Sequence, residues 1–249
     1  MEKNIRNMII HAHILAFNEE KILPFTLDYY SNLCEKIFVY DNMSTDSSDE
    51  IYAKYPKVTV IKWSSNNEIN EMNYINIKSN GYKQYSRDAD WVIVCDCDEI
   101  LYHPRLLEKL TYYKENGITV PKINGHDMVS ETFPEYDGAS ITTKVKTGSE
   151  VYAPFCKNII FNPKLDVEYG IGGHSFKCDK ATYSVSPELK LLHYKFLGVE
   201  YVENIYKARM ERLSEFNKQH KFGEHYFNVP YDYMNKLLSE NIQIIWEKY

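Results

Sequence analysis

The stretch Trp91-Val92-Ile93-Val94-Cys95-Asp96-Cys97-Asp98-Glu99-Ile100, WVIVCDCDEI, sets an apolar run directly against three acids and two cysteines. A short run of mostly β-branched residues opened by an aromatic one predicts a strand buried on both faces. Carboxylates at the end of such a strand need partners, because an unpaired charge is costly to bury. Three chemistries meet that need: a thiolate zinc site, a phosphatase nucleophile, or a carboxylate clamp on a hard divalent cation. If strand alternation continues past Cys95, Asp96 and Asp98 share one face and Glu99 lies on the other. Two carboxylates one residue apart can then reach one cation, and Mg²⁺ or Mn²⁺ prefers such oxygen ligands. Zinc wants four ligands, and no second C-x-C or C-x₂-C joins Cys95 and Cys97. Both cysteines read as small hydrophobes.

Outward from this run, strand and helix signals alternate. Strands are expected at Met8–Leu15, Lys36–Tyr40, Val58–Lys62 and Trp91–Cys95. Helical patterns follow Asn18-Glu19-Glu20 to about Leu33, with Pro24 tolerated in the first turn, and span Ser47–Lys54, Ile69–Tyr85 and Arg105–Lys114. Repeated β-α-β-α predicts an α/β fold with a mostly parallel, Rossmann-like sheet flanked by helices. Ligands of such sheets bind at the carboxyl ends of the strands, where Asp41 and Asp96 both fall. After Ile118 short strand-like runs are punctuated by Pro121, Pro134, Gly138, Pro154 and Pro163, and the pattern becomes mixed α+β. Two helices are expected to close the chain, at about Val199–His220 and from Tyr233 to Trp246. With no repeat or linker, the expectation is one domain, a nucleotide-sugar half over 1–117 and an acceptor half over 118–249.

The 249 residues suffice to bury a sizeable core, and 44% apolar with 26% charged residues is ordinary globular composition. A net charge of −6 without a basic patch argues against a nucleic-acid partner. No run approaches the roughly 20 apolar residues of a membrane span. The final amphipathic helix could touch a membrane peripherally, but its polar face lacks a basic excess, which favours packing. Five cysteines, an odd number, and a start without a cleavage site lead to the expectation of free thiols and a cytoplasmic protein.

Four features now stand in order: ILAFNEE (Ile14–Glu20), VYDNMSTDSS (Val39–Ser48), DADWVIVCDCDE (Asp88–Glu99), and downstream GGHSF (Gly172–Phe176) with LLHYKF (Leu191–Phe196). This order resembles the nucleotide-sugar glycosyltransferases of family 2 and their D-x-D-E relatives, which share the GT-A fold. The resemblance is good over residues 8–110 and thinner beyond. It implies a metal-dependent, inverting transfer from a nucleotide sugar, a UDP-sugar by preference, to a glycan or lipid-linked acceptor, as in polysaccharide or glycoconjugate assembly. It also implies roles: Phe17 against the base, Asp41 and Asn42 at the nucleoside, Asp96 and Asp98 on Mn²⁺ or Mg²⁺. Where many relatives have Asp-Asp-Gly-Ser, this chain has Asp41-Asn42-Met43-Ser44. His174 is nominated as third metal ligand, with His193 behind it, and Lys195 as a phosphate contact. The family's downstream acidic pair is missing here. Asp127, within NGHDMVSETFPEYDG and expected on a loop, is nominated as base, while Glu99 orients the metal site or touches the acceptor.

Two other classes compete. Haloacid-dehalogenase-type phosphatases also carry D-x-D, with Asp96 as the nucleophile, but after their first strand and with Thr or Val where this chain has Ile100. A non-catalytic sugar- or nucleotide-binding module would keep the fold without turnover. His11-x-His13 could belong to a metal-dependent hydrolase, yet it lacks a second histidine cluster and reads as a pair of strand residues.

Overall fold

A computed structural model describes residues 8–245. The first half runs β1 (Ile10–Ala16), α1 (Leu23–Leu33), β2 (Lys36–Asp41), α2 (Ser48–Tyr52), β3 (Val58–Lys62), α3 (Glu71–Tyr85) and β4 (Trp91–Asp96). Next come β5 (Glu99–Tyr102), α4 (Leu106–Glu115), β6 (Ile123–Ser130), α5 (Ile141–Lys144), β7 (Ile160–Phe161), β8 (Glu168–Tyr169) and β9 (Phe176–Lys177). The described chain ends through β10 (Leu189–Leu197), α6 (Val199–Glu211), α7 (Glu215–Gln219) and α8 (Tyr231–Glu240).

The main sheet has the order β3-β2-β1-β4-β7; its first four strands are parallel, and β7 is an antiparallel edge. All seven residues of β1 are buried, the signature of a strand covered on both faces. The chain winds outward from β1 to β3 and then returns to place β4 on the other side of β1. That reversal opens a crevice at the carboxyl ends of β1 and β4, where α/β sheets bind ligands. Register makes the ends level: Ala16 pairs with Asp41, and Leu15 with Asp96.

A second sheet, β5-β10-β6, begins where the first stops. β4 ends at Asp96, Cys97 and Asp98 turn, and β5 pairs antiparallel with β10, which runs parallel to β6. The expected alternation through Glu99 therefore does not hold, because the acids sit on a turn between two sheets. Helix α1 pins that turn. Thr26 Oγ1 donates to the Cys97 carbonyl, and Tyr30 hydroxyl donates to the Glu99 carbonyl at 2.9 Å. One continuous apolar core runs from Ile14 and Ile93 to Leu191 and Val129 across both sheets.

Two expected helices are shorter than their patterns. The first breaks after Glu211, and Ser214 caps the separate α7 through its side chain. The second ends at Glu240, where Asn241 takes a left-handed cap at φ 47°; Trp246 lies outside the described residues. No helix among the described residues is long and apolar enough to cross a membrane.

Candidate active site

The strand ends and the inter-sheet turn bring together residues far apart in sequence. Asp96 takes the Lys78 ammonium from α3 at 2.9 Å, and its side chain keeps 36% of its exposure. Lys78 is buried, yet the Asp96 charge outweighs desolvation and holds its ammonium above the ordinary lysine range. Glu99 is fully buried and pairs with Lys157 at 2.6 Å, while its other oxygen accepts the Asp96 backbone N–H at 3.0 Å. Burial would raise its carboxyl, but Lys157 and Lys78 pull it below the usual range. Glu99 thus braces the acid turn from behind, locked to a lysine.

Asp98 faces the second sheet. Its carboxylate lies 3.4 Å from His193 Nε2, and His193 Nδ1 lies 2.9 Å from Asp127. The remaining Asp127 oxygen accepts the Tyr233 hydroxyl at 3.0 Å. Register produces this chain, because β10 places His193 opposite Glu99 on one side and Asp127 on the other. Desolvation disfavours a charged imidazole, but two carboxylates outweigh it and push His193 up to about 9. Asp98 is correspondingly held well below the carboxylate range, burial notwithstanding, by the His193 charge.

These contacts correct several expectations. Asp127 is on a strand rather than a loop and 1% exposed, with both carboxylate oxygens engaged, so it is not open to a substrate hydroxyl. His193 has both ring nitrogens between carboxylates, a bridging place rather than a ligand's. His174 is exposed, its Nδ1 hydrogen-bonded to the Pro154 carbonyl at 2.7 Å. Among the described residues no group of three or more His, Cys, Asp or Glu is placed to hold a metal ion, so Asp96, Asp98 and His174 are not gathered as one set. Asp41 is 0% exposed, its carboxylate taken by Ser44 N–H, Tyr52 hydroxyl and Lys62 at 2.8–3.0 Å. Asn42 is bound within the protein to Ser65. Both side chains build the turn after β2 instead of presenting free groups. Cys95 and Cys97 are buried thiols whose pKa burial raises, and neither is paired.

Phe17 is half-buried at the end of β1, one ring face covered by the Arg212 guanidinium 3.2 Å from its centroid. Arg212 Nη2 is buried and makes no hydrogen bond. One turn earlier on α6, Arg209 lies 3.6 Å from Glu19, whose carboxyl burial pushes up to about 8 against the opposing Arg209 charge. Lys195 is ringed by Phe196, Tyr206 and Tyr226 at 5.1–5.7 Å, and among the described residues it has no ion-pair partner. Desolvation, then the nearby Arg209, bring its ammonium down to about 8. Gly173, at φ +71°, lets its loop lie on Lys78, whose ammonium would be 3.5 Å from a Cβ there. Lys78, Lys157, Arg209 and Arg212 carried no sequence signal, since each is one cation in an ordinary helix or loop. The sequence singles out His193 as a ligand, and only the register of β10 gives it its place between Asp98 and Asp127.

Comparison with known proteins adds the following. The sequence model described as Glycosyl transferase family 2 matches residues 12–180. The solved structure of S. aureus TarS 1-349 is similar with a TM-score of 0.47 at 13% identity, over 92% of this chain and 73% of that one. Its complex with UDP gives 0.48 at 13% identity, over 95% and 76%. S. aureus TarS gives 0.47 at 13%, over 93% of this chain and 44% of that one. Among curated proteins none matches this chain.

Proposed function

The chain belongs to glycosyl transferase family 2, and on that premise we propose that it moves one sugar from a nucleotide-sugar donor to a glycan or lipid-linked acceptor. Membership makes it a glycosyltransferase with a GT-A-like fold and sets aside the phosphohydrolase reading of Asp96. One observation carries the donor assignment: Asp96 at the end of β4 and Asp98 on the turn that follows lie beside the topological switch point, with Lys78, Lys157, Lys195, Arg209 and charged His193 around them. An acidic protein thereby offers cations to an anionic diphosphate where the fold opens its crevice.

The donor set fits a hard cation. Asp96 and Asp98 supply carboxylate oxygens, and Mg²⁺ or Mn²⁺ commonly takes one or two carboxylates plus substrate phosphates rather than an all-protein cage. Asp96 and Asp98 would hold the ion, which when bound supplies Lewis-acid stabilisation of the departing diphosphate. Lys195 and Arg209, half-buried beside aromatic walls, bind phosphoryl oxygens. Arg212 and the Phe17 ring it covers form the side of the site assigned to the nucleoside. Asp127 acts through His193: it holds Nδ1 of the imidazole whose Nε2 pairs with the Asp98 carboxylate. Family membership supports a direct displacement of the nucleoside diphosphate by an acceptor hydroxyl, with inversion at the sugar carbon.

Thermal unfolding with UDP, GDP, CDP and dTDP, each with and without Mn²⁺, tests the reading on wild type and Asp98→Ala. One nucleotide should raise the melting temperature in a Mn²⁺-dependent way by mass action, and Asp98→Ala should lose the shift. No shift with any nucleotide overturns the donor assignment.

A further inference from the structure

A row of aromatic rings leads from the inter-sheet turn to the surface. The Phe155 ring lies 4.4 Å from the His193 imidazole and contacts His174 edge-on at 5.8 Å. Tyr152 follows, 5.5 Å from Phe155 and 6.2 Å from Tyr233, the side chain that donates to Asp127. Exposure grows outward: His193 is 5% exposed, Phe155 is half-buried, and Tyr152 is 41% exposed. The row therefore begins against the residue that holds Asp98 and ends on an open face.

Glycine at position 125 permits this placement. A Cβ on Gly125 of β6 would fall 2.1 Å from the Phe155 carbonyl oxygen, so only glycine lets the turn Ala153–Phe155 lie flat on the strand. The Tyr152 N–H donates to the Gly125 carbonyl at 2.9 Å, and the Pro154 carbonyl engages His174. The rings are thus held by backbone contacts on both sides, which suits a preformed binding surface.

We propose that Tyr152, backed by Phe155, is the platform on which a sugar ring of a saccharide acceptor stacks. The inference rests on the glycosyltransferase reading above and narrows its acceptor. The face of a pyranose presents C–H groups, which match the negative face of an aromatic ring. Tyrosine offers that face with few rotatable bonds, so little conformational freedom is lost on binding. Position gives the role: Tyr152 is linked to His193 through Phe155, and to Asp127 through Tyr233, so the platform lies on the side of the site that holds Asp98.

The test uses the full chain and an immobilised panel of linear pyranose oligosaccharides, in the presence of Mn²⁺ and the nucleoside diphosphates above. Wild type should retain at least one oligosaccharide series. Tyr152→Ala should weaken that binding about fivefold to tenfold, the scale of one lost stacking contact. Tyr152→Phe should bind within about twofold of wild type, because the ring rather than the hydroxyl is used. The nucleotide-induced rise in melting temperature should be the same in all three. Equal binding by Tyr152→Ala, equal loss in Tyr152→Phe, or retention on phosphatidylglycerol vesicles with no oligosaccharide bound would each overturn the proposal. Failure of the nucleotide shift in wild type would strike the donor reading instead, leaving the platform to be judged by the panel.

Discussion

Two buried histidines, each on the middle strand of its own sheet, differ in charge state, one neutral and one cationic. His13 on β1 is 1% exposed, stacked on Phe38 at 4.9 Å and hydrogen-bonded to Ser86 and Tyr40 hydroxyls. Desolvation, with a smaller push from His11, takes it down to about 3. His193 on β10 is 5% exposed but sits between Asp98 and Asp127, and goes up to about 9. Burial is nearly equal in the two places; the neighbours decide the outcome. Hydroxyls and rings make the first histidine neutral scaffold. Carboxylates make the second a buried cation, and only that one borders the acid turn.

The strongest way to break this contrast is to remove the cation. His193→Ala leaves Asp98 and Asp127 buried without their counter-charge, and we expect urea unfolding to show a loss of about 3–5 kcal/mol. A loss under about 1 kcal/mol would mean that the imidazole is not charged there. Next in size is the effect on turnover. Asp98→Asn should slow release of nucleoside diphosphate from the nucleotide sugar by about 10²–10³, the scale for losing one preorganised electrostatic group. Unchanged turnover would remove Asp98 from the site.

His13 sharpens the comparison from the other side. Its folded pKa of about 3 lies below the ordinary 6.5, so above pH 6.5 both states are neutral and its contribution is complete. As pH falls from 6.5 towards 3 the unfolded chain takes the proton first, and stability drops by at most about 1.4 kcal/mol per pH unit. Urea unfolding at stepped pH should therefore show a shallower acid limb in His13→Gln than in wild type, and identical slopes would contradict the neutral assignment. Smallest is Ser86→Ala, which takes the shared hydroxyl from His11 and His13. It should cost about 1–3 kcal/mol in thermal unfolding and leave nucleotide binding untouched.

The same contrast explains what could be read before folding. Strand β4 and its acids were legible because a continuous apolar run ending in charge is a local pattern. The parallel sheet followed from strand and helix signals that alternate along the chain, and Val58–Lys62 appears where its pattern placed it. The second sheet was hidden, since β5, β6 and β10 pair across large sequence separations, and β5 is only four residues long. Asp127 resembled a loop acid because Gly125 and His126 precede it. That glycine instead serves the close approach of Phe155. Asp41 shows the limit from the other side: its position at a strand end was legible, but the Tyr52 and Lys62 partners of its oxygens were not. Partners contributed by distant elements leave no mark in a local pattern.

The most direct test of the inter-sheet turn as a donor site is calorimetric titration of the nucleoside diphosphate with and without Mn²⁺, and of Mn²⁺ with and without the nucleotide. Binding at Asp96 and Asp98 predicts that each strengthens the other by the same factor, about tenfold or more, and that Asp98→Ala abolishes the coupling. Nucleotide binding that is indifferent to Mn²⁺ and equal in Asp98→Ala would contradict the account.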